Sequence, residues 1–133
     1  MKILFVNSVY GVGSTGKIVQ DLCKDLNNEG HQVRVCYGRK SKVIDKNSRQ
    51  ICSKMEFYLD VFLSRLTGLH GCFSLIATRR LITEIEEFNP DIVHLHNIHG
   101  YYLNIYIIVN YLKKCNIKVV WTLHDELMFT GKC

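Results

Sequence analysis

The stretch "NSVYGVGSTGKIVQDL", residues 7–22, decides how the fold is read. An apolar run of strand-forming residues, "KILFVNSV" (2–9), leads into it and ends at three closely spaced glycines, Gly11, Gly13 and Gly16. Beyond them Ile18, Val19, Leu22, Cys23 and Leu26 recur at helical spacing. Ser14 or Thr15 is the expected N-cap of that helix, and Gly30 its left-handed C-terminal residue. "HQVRVCYG" (31–38) then reads as a second strand, so the chain opens with a strand, a glycine loop, a helix and another strand.

The pattern continues outward. Residues 38–50 are polar and basic and read as a surface loop, with "RQICS" (49–53) as a short third strand. "KMEFYLDVFLSRL" (54–66) has helical character with apolar residues nearly all round; burial against the sheet or another domain is the expectation, and a membrane interface the alternative. "SLIATRRLITEIEEF" (74–88) is an amphipathic helix with Leu81, Ile82, Ile85 and Phe88 on one stripe, closed by Asn89-Pro90. A buried strand (91–97), a helix (102–115) and a last strand (118–125) follow. Strands alternating with helices predict an α/β fold: one Rossmann-like domain over residues 1–133, its parallel sheet covered by helices on both faces. Ligands of such sheets bind beyond the carboxyl ends of the strands, which points to the loops 8–16, 37–42, 96–101 and 124–131.

Composition sets bounds on function. With 133 residues and 47% hydrophobic content, the chain suits a single globular domain with a real core. No apolar run reaches the roughly 18 residues of a membrane-spanning helix, since 101–112 is interrupted by Asn104 and Asn110. The opening "MKILFVNSVYG" lacks the features of a secretory signal, so the expected location is cytoplasmic. Cys23, Cys36, Cys52, Cys72, Cys115 and Cys133 form no C-x-x-C pair and are expected as free thiols acting as small core residues. The net charge of +5 is uneven, with 13 Lys/Arg against 6 Asp/Glu in residues 1–80. Such a basic stretch suits an anionic partner, or is simply solvated; without interleaved exposed aromatics it does not read as nucleic-acid binding.

Two nucleotide motifs overlap in the glycine loop. Gly11 through Lys17 spell G-x-x-x-x-G-K, but Ile18 stands where a Walker loop needs a magnesium-binding hydroxyl, although Asp125 at the end of the last strand could imitate its acidic partner. The same glycines spell G-x-G-x-x-G in a dinucleotide context, but "CYGRK" replaces the ribose-binding acid after the second strand; Arg39 and Lys40 leave NADP open. What the motifs share is backbone N–H groups and a helix N-terminus aimed at an anion, with Lys17 adding charge or standing solvated. A plain glycine turn is the structural alternative.

"HLHNIHG" places His94, His96 and His99 close together, and "TLHD" adds His124 and Asp125. A zinc site needs four such groups to converge, which the spacing does not show, so no metal is expected and His94 reads as a structural histidine within a strand. His96, His99, His124 and Asp125 are candidates for polar contacts to a hydroxylated or anionic ligand.

Together, "ILFVNSVYGVGSTGKI", "NPDIVHLHNIHGYYLNI" and "VVWTLHDELMFTGKC" resemble, over the whole chain, the N-terminal domain of retaining, nucleotide-sugar-dependent glycosyltransferases of the GT-B fold, particularly bacterial members that build surface polysaccharides. The resemblance implies an acceptor-side domain facing a second, donor-side domain across a cleft. It implies a UDP-, GDP- or TDP-sugar as donor substrate, no tightly bound cofactor, and a saccharide or lipid-linked acceptor, with peripheral contact at the inner membrane surface. By the same resemblance Gly11, Gly13, Ser14, Thr15, Gly16 and Lys17 lie near the donor diphosphate. His124 matches the histidine beside the transferred sugar, in a hexosyltransferase type of reaction, and His96, Asn97, His99 and Asp125 line the cleft. The second domain's donor-binding motifs are missing from these residues, so the expectation is a fragment that folds without robust catalysis. A stand-alone sugar- or nucleotide-binding module is the alternative.

Overall fold

The computed structural model describes residues 1–43 and 45–130. In chain order these form β1 (Lys2–Tyr10), α1 (Gly13–Asn28), β2 (Gln32–Ser41), β3 (Ser48–Gln50), α2 (Lys54–Thr67), α3 (Leu75–Phe88), β4 (Ile92–Leu95), α4 (Ile105–Lys114), β5 (Lys118–Trp121) and α5 (Leu127–Thr130). The expected Rossmann-like architecture is present: five parallel strands in the order β3-β2-β1-β4-β5. The chain therefore steps outward from β1 to β3, then crosses back to lay β4 and β5 on the other side of β1. The loops leaving β1 and β4 diverge at this reversal and open a crevice over the carboxyl ends of the two strands.

Both faces of the central strands are buried, which is why they read as continuous apolar runs. Ile3, Phe5, Val33 and Val35 pack on one face against Val19 and Cys23 of α1. Leu4, Val6, Val93 and Leu95 pack on the other against Leu81 and Ile85 of α3 and Ile108 and Leu112 of α4.

Several local expectations change. The cap of α1 is Val12, in extended backbone, instead of Ser14 or Thr15, and Ile18 lies off the packed stripe. The left-handed turn at Gly11 and Gly13, with φ of 66° and 65°, starts the helix before either hydroxyl residue is reached. β2 runs on through Arg39 to Ser41 because β1 is long enough to pair with it, with Val9 opposite Lys40 and Tyr10 opposite Ser41 beyond a bulge. Cys23, Cys36 and Cys52 are buried as expected, while Cys115, at the end of α4, is exposed; Gly131, Lys132 and Cys133 lie outside the described residues.

The apolar face of α2 is not packed on the sheet but turned outward. Its buried residues are Asp60 and Ser64, whereas Met55, Tyr58, Leu59, Phe62 and Leu66 are exposed. The physical reason is a polar latch: the Ser64 hydroxyl donates to Asp60 Oδ1 at 2.9 Å, and Ser74, at the start of α3, donates to Asp60 Oδ2. A reciprocal capping box sets the start of the helix, where Glu56 N–H donates to Ser53 Oγ and Ser53 N–H to Glu56 Oε2. Ser53→Ala removes one half of it and is expected to cost about 1 kcal/mol, read as a melting temperature lower by roughly 3 °C. An unchanged melting temperature would show that the contacts of Asp60 hold α2 without the cap.

Candidate functional site

The crevice between β1 and β4 is fastened by a buried amide. His96 N–H continues the strand ladder to Val6 O at 2.9 Å, and the next amide, Asn97 N–H, donates to Asn7 Oδ1 at 3.2 Å. Asn7 Nδ2 donates in turn to Val9 O at 2.8 Å, so one fully buried side chain bridges the two diverging loops. A polar residue inside an apolar strand must find such partners, and the lone Asn of "KILFVNSV" is the signal that sequence reasoning passed over. Tyr102, also fully buried, fixes the other side by donating its hydroxyl proton to Asn97 O at 2.7 Å.

The segment leaving β5 closes on the same loop. Thr122 N–H donates to Leu95 O at 2.9 Å and Trp121 Nε1–H to His96 O at 3.2 Å. This alignment makes two pairs of the expected cleft residues. His96 Nδ1 meets His124 Nε2 at 2.9 Å with the rings stacked, and His99 Nε2 meets the Asp125 carboxylate. His94, half-buried, pairs with the Thr122 hydroxyl at 2.8 Å, as a structural histidine does.

His96 is almost wholly buried, against the rings of Phe5 and His94. That burial, reinforced by the nearby charges His94 and His124 would carry, pushes its pKa down from 6.5 to about 3; burial and then His124 lower that of His94. A neutral His96 carries one N–H. Its Nδ1 therefore either donates to His124 Nε2 or accepts from it, and in both cases the contact orients the His124 ring.

His96 Nε2 and Asn97 Oδ1 are buried without a hydrogen-bond partner. They stand at a small cavity of about 10 Å³ whose walls include Trp121, His124 and Asp125, about the size of one water or one hydroxyl group. Among the described residues no three His, Cys, Asp or Glu side chains are grouped so as to hold a metal ion.

The glycine loop stands over the neighbouring strand at the same sheet edge. Gly11 N–H donates to Gly16 O at 3.0 Å, and Gly16 is buried so closely that a Cβ would lie 3.2 Å from Gly11 N. Gly13, Ser14 and Lys17 are exposed and Thr15 half-buried. The first turn of α1 has neither a side-chain cap nor an acid, so its amide N–H groups and positive dipole end face outward.

A larger cavity, about 510 Å³, adjoins this edge beyond β2 and β3. Arg39, Lys40, Lys54, Gln50, Phe57 and Tyr58 line it, with the Arg39 guanidinium 5.3 Å from the Phe57 ring centre. The basic loop expected at 37–42 is thus the wall of a cavity, a placement that depends on β2 being longer than its apolar pattern.

Comparison with known proteins gives one family. The model of Glycosyltransferase Family 4 matches residues 15–131. A protein of Escherichia coli (strain K12), WcaC, which carries the name of a colanic acid biosynthesis glycosyl transferase, is 29% identical over 147 aligned positions. The alignment takes in the whole of this chain and 35% of that relative, so the chain spans about a third of the relative's length. No solved structure matches at the same stringency.

Proposed function

This chain belongs to glycosyltransferase family 4, and from that premise we propose that it forms the acceptor-side part of an enzyme moving a hexosyl group from a UDP-, GDP- or TDP-sugar to a saccharide or lipid-linked acceptor. The observation that carries the reading is the joining of His96 to His124 and of His99 to Asp125 at the sheet reversal, beside a glycine loop whose helix N-terminus bears no acid. The relative named for colanic acid biosynthesis supports a place in polysaccharide synthesis.

The chemistry assigns the roles. A departing nucleoside diphosphate gains negative charge, and preorganised donors aimed at that charge supply the largest share of such catalysis. The N–H groups from Gly11 to Gly16, with Lys17, serve that end of the reaction. His124, oriented by His96, stands beside the transferred sugar, while Asn97, His99 and Asp125 hold acceptor hydroxyls. A complementary domain supplies the contacts to the nucleotide, and no cofactor takes part.

The test is a thermal-shift panel with UDP, GDP, TDP, ATP and NADP on the chain and on Gly13→Asp. A Cβ at Gly13 meets no atom within 4 Å, and Asp tolerates the left-handed backbone there better than most residues, so the variant keeps its fold while placing a carboxylate where the diphosphate binds. Nucleoside diphosphate at 100 times its Kd is expected to add about 2.7 kcal/mol, and to add nothing in the variant. A shift with NADP alone would overturn the transferase reading in favour of a nicotinamide site.

A further inference from the structure

Three cations without counter-charges meet at one cavity. Other arginines nearby are neutralised: Arg34 and Arg49 pair with Glu84 at 2.9 and 3.8 Å, and Arg80 with Glu56 at 2.7 Å. Arg39, Lys40 and Lys54, which line the cavity of about 510 Å³ beyond β2 and β3, have no ion-pair partner among the described residues. Their placement is not what the local structure favours. Neighbours on a strand normally point to opposite faces, but β2 carries one residue more than β1 between the pairs Asn7–Tyr37 and Val9–Lys40, and this bulge brings Arg39 and Lys40 to the same cavity. Lys54 is the first residue of α2, where the helix dipole disfavours a cation. Neither position helps the fold, and both suit an anion in the cavity.

The remaining wall suits a ring. The Arg39 guanidinium lies 5.3 Å from the Phe57 ring centre, and Phe57 meets Tyr58 edge-on at 5.4 Å. Gln50 Nε2 donates to Arg39 O at 3.2 Å and to Cys52 O at 2.9 Å, which leaves the carbonyl oxygen of that side chain to accept from a ligand. A guanidinium fork and two ammonium groups give charge-assisted hydrogen bonds to a carboxylate or a phosphate, the Gln50 oxygen takes a hydroxyl proton, and an aromatic ring packs on the C–H face of a pyranose. The volume falls within the range of about 300–1,000 Å³ that small-molecule sites occupy.

We propose that this cavity receives an acidic sugar unit of the acceptor, so that the enzyme takes an anionic saccharide, bearing a carboxylate or a phosphate, in preference to a neutral one. The cavity is joined to the crevice. A Cβ at Gly100 would stand 3.5 Å from Arg39 Nη2, and Phe57 meets the ring of Tyr101 at 6.1 Å, on the loop that carries His99. Tyr101 is held there at φ 63°, a left-handed backbone rare outside glycine and typical of binding sites. With its acid on Arg39, a saccharide extends past this loop toward His99. The inference rests on the transferase reading and is tested apart from it, since saccharide binding requires no nucleotide.

The experiment follows the amide resonances of the isotope-labelled chain by NMR as galacturonate, galactosyl phosphate, galactose and inorganic phosphate are added in separate titrations. The expected result is that galacturonate or galactosyl phosphate shifts the resonances of Gln50, Lys54 and Tyr58 and binds at least about tenfold more tightly than galactose, the tighter of the two identifying the acid. Arg39→Gln and Lys40→Gln/Lys54→Gln, at exposed positions, are each expected to weaken that binding about tenfold or more, whereas Lys42→Gln/Lys46→Gln, which removes two exposed charges outside the cavity, leaves it unchanged. Galactose binding as tightly as the acidic sugars overturns the proposal, as does inorganic phosphate binding as tightly as galactosyl phosphate, which would make the cavity a plain anion site. An equal loss in Lys42→Gln/Lys46→Gln overturns it too, by reducing the effect to diffuse charge. If no saccharide shifts these resonances while UDP still stabilises the chain in a manner lost with Gly13→Asp, this inference fails and the transferase reading stands.

Discussion

Gly38→Ala is expected to lower stability by about 3 kcal/mol, or about 10 °C in melting temperature, through a single methyl group. Gly38 is buried near the end of β2, and an added Cβ would lie 2.3 Å from Cγ and 2.4 Å from Cδ2 of Tyr102. Those atoms belong to a fully buried aromatic ring, not to the free end of a flexible chain, so the ring itself must move. Its hydroxyl is tied to Asn97 O, and a displaced ring pulls on the loop carrying Asn97 and His99. The damage therefore reaches the crevice as well as the core. Urea unfolding checks the magnitude, and a double-mutant cycle with Tyr102→Ala checks the cause. Tyr102→Ala alone loses about 3–5 kcal/mol. If the clash is responsible, the double variant loses clearly less than the sum of the two single losses, because the added methyl group no longer meets a ring. Strict additivity, or a Gly38→Ala melting temperature within about 2 °C of the parent's, would sink the explanation.

The same contact shows where sequence reasoning stops. The order of strands and helices was legible because the inner strands are unbroken apolar runs and α1, α3 and α4 keep a helical period; both signals are local. The partnership of Gly38 and Tyr102 joins residues far apart in the chain, and nothing near either position announces it. The orientation of α2 was hidden for a related reason. A segment apolar nearly all round leaves its inner face undecided until Asp60 finds Ser74, 14 residues away. The histidines were recognised as residues but not as pairs. Parallel register sets Ile92 opposite Lys118, an offset of 26, which is also the separation of His99 from Asp125, while His96 and His124 are 28 apart. That offset exists only once β4 and β5 are neighbours, a tertiary fact. Asn7 was the exception, legible in principle because an amide inside a buried strand has to be bonded to something.

Acidification from pH 6.5 to pH 5 is expected to weaken the fold through His96, before the carboxylates begin to titrate. In the folded state this imidazole stays neutral down to about pH 3, because burial and the neighbouring histidines oppose its charging. In the unfolded chain it takes up a proton near pH 6.5. Between those values the unfolded state binds the extra proton, so stability is fully present above pH 6.5 and is lost as pH falls toward 3, by at most about 1.4 kcal/mol per pH unit for this group. His94, lowered in the same direction, steepens the loss. Confining the measurement to pH 5–6.5 separates the histidines from the acids, whose ordinary pKa values lie near 4. Urea midpoints across that range are expected to slope upward with pH, and His96→Gln to flatten the slope by up to one proton whatever it does to the midpoint at pH 7. A slope unchanged in His96→Gln would mean that His96 is charged in the folded protein at pH 5. That result would also fix the direction of the contact with His124, because an imidazolium has N–H on both nitrogens and donates from Nδ1, so that His124 Nε2 has to accept. The neutrality of His96 therefore bears on stability and on which histidine donates in the His96–His124 contact, and one titration tests both.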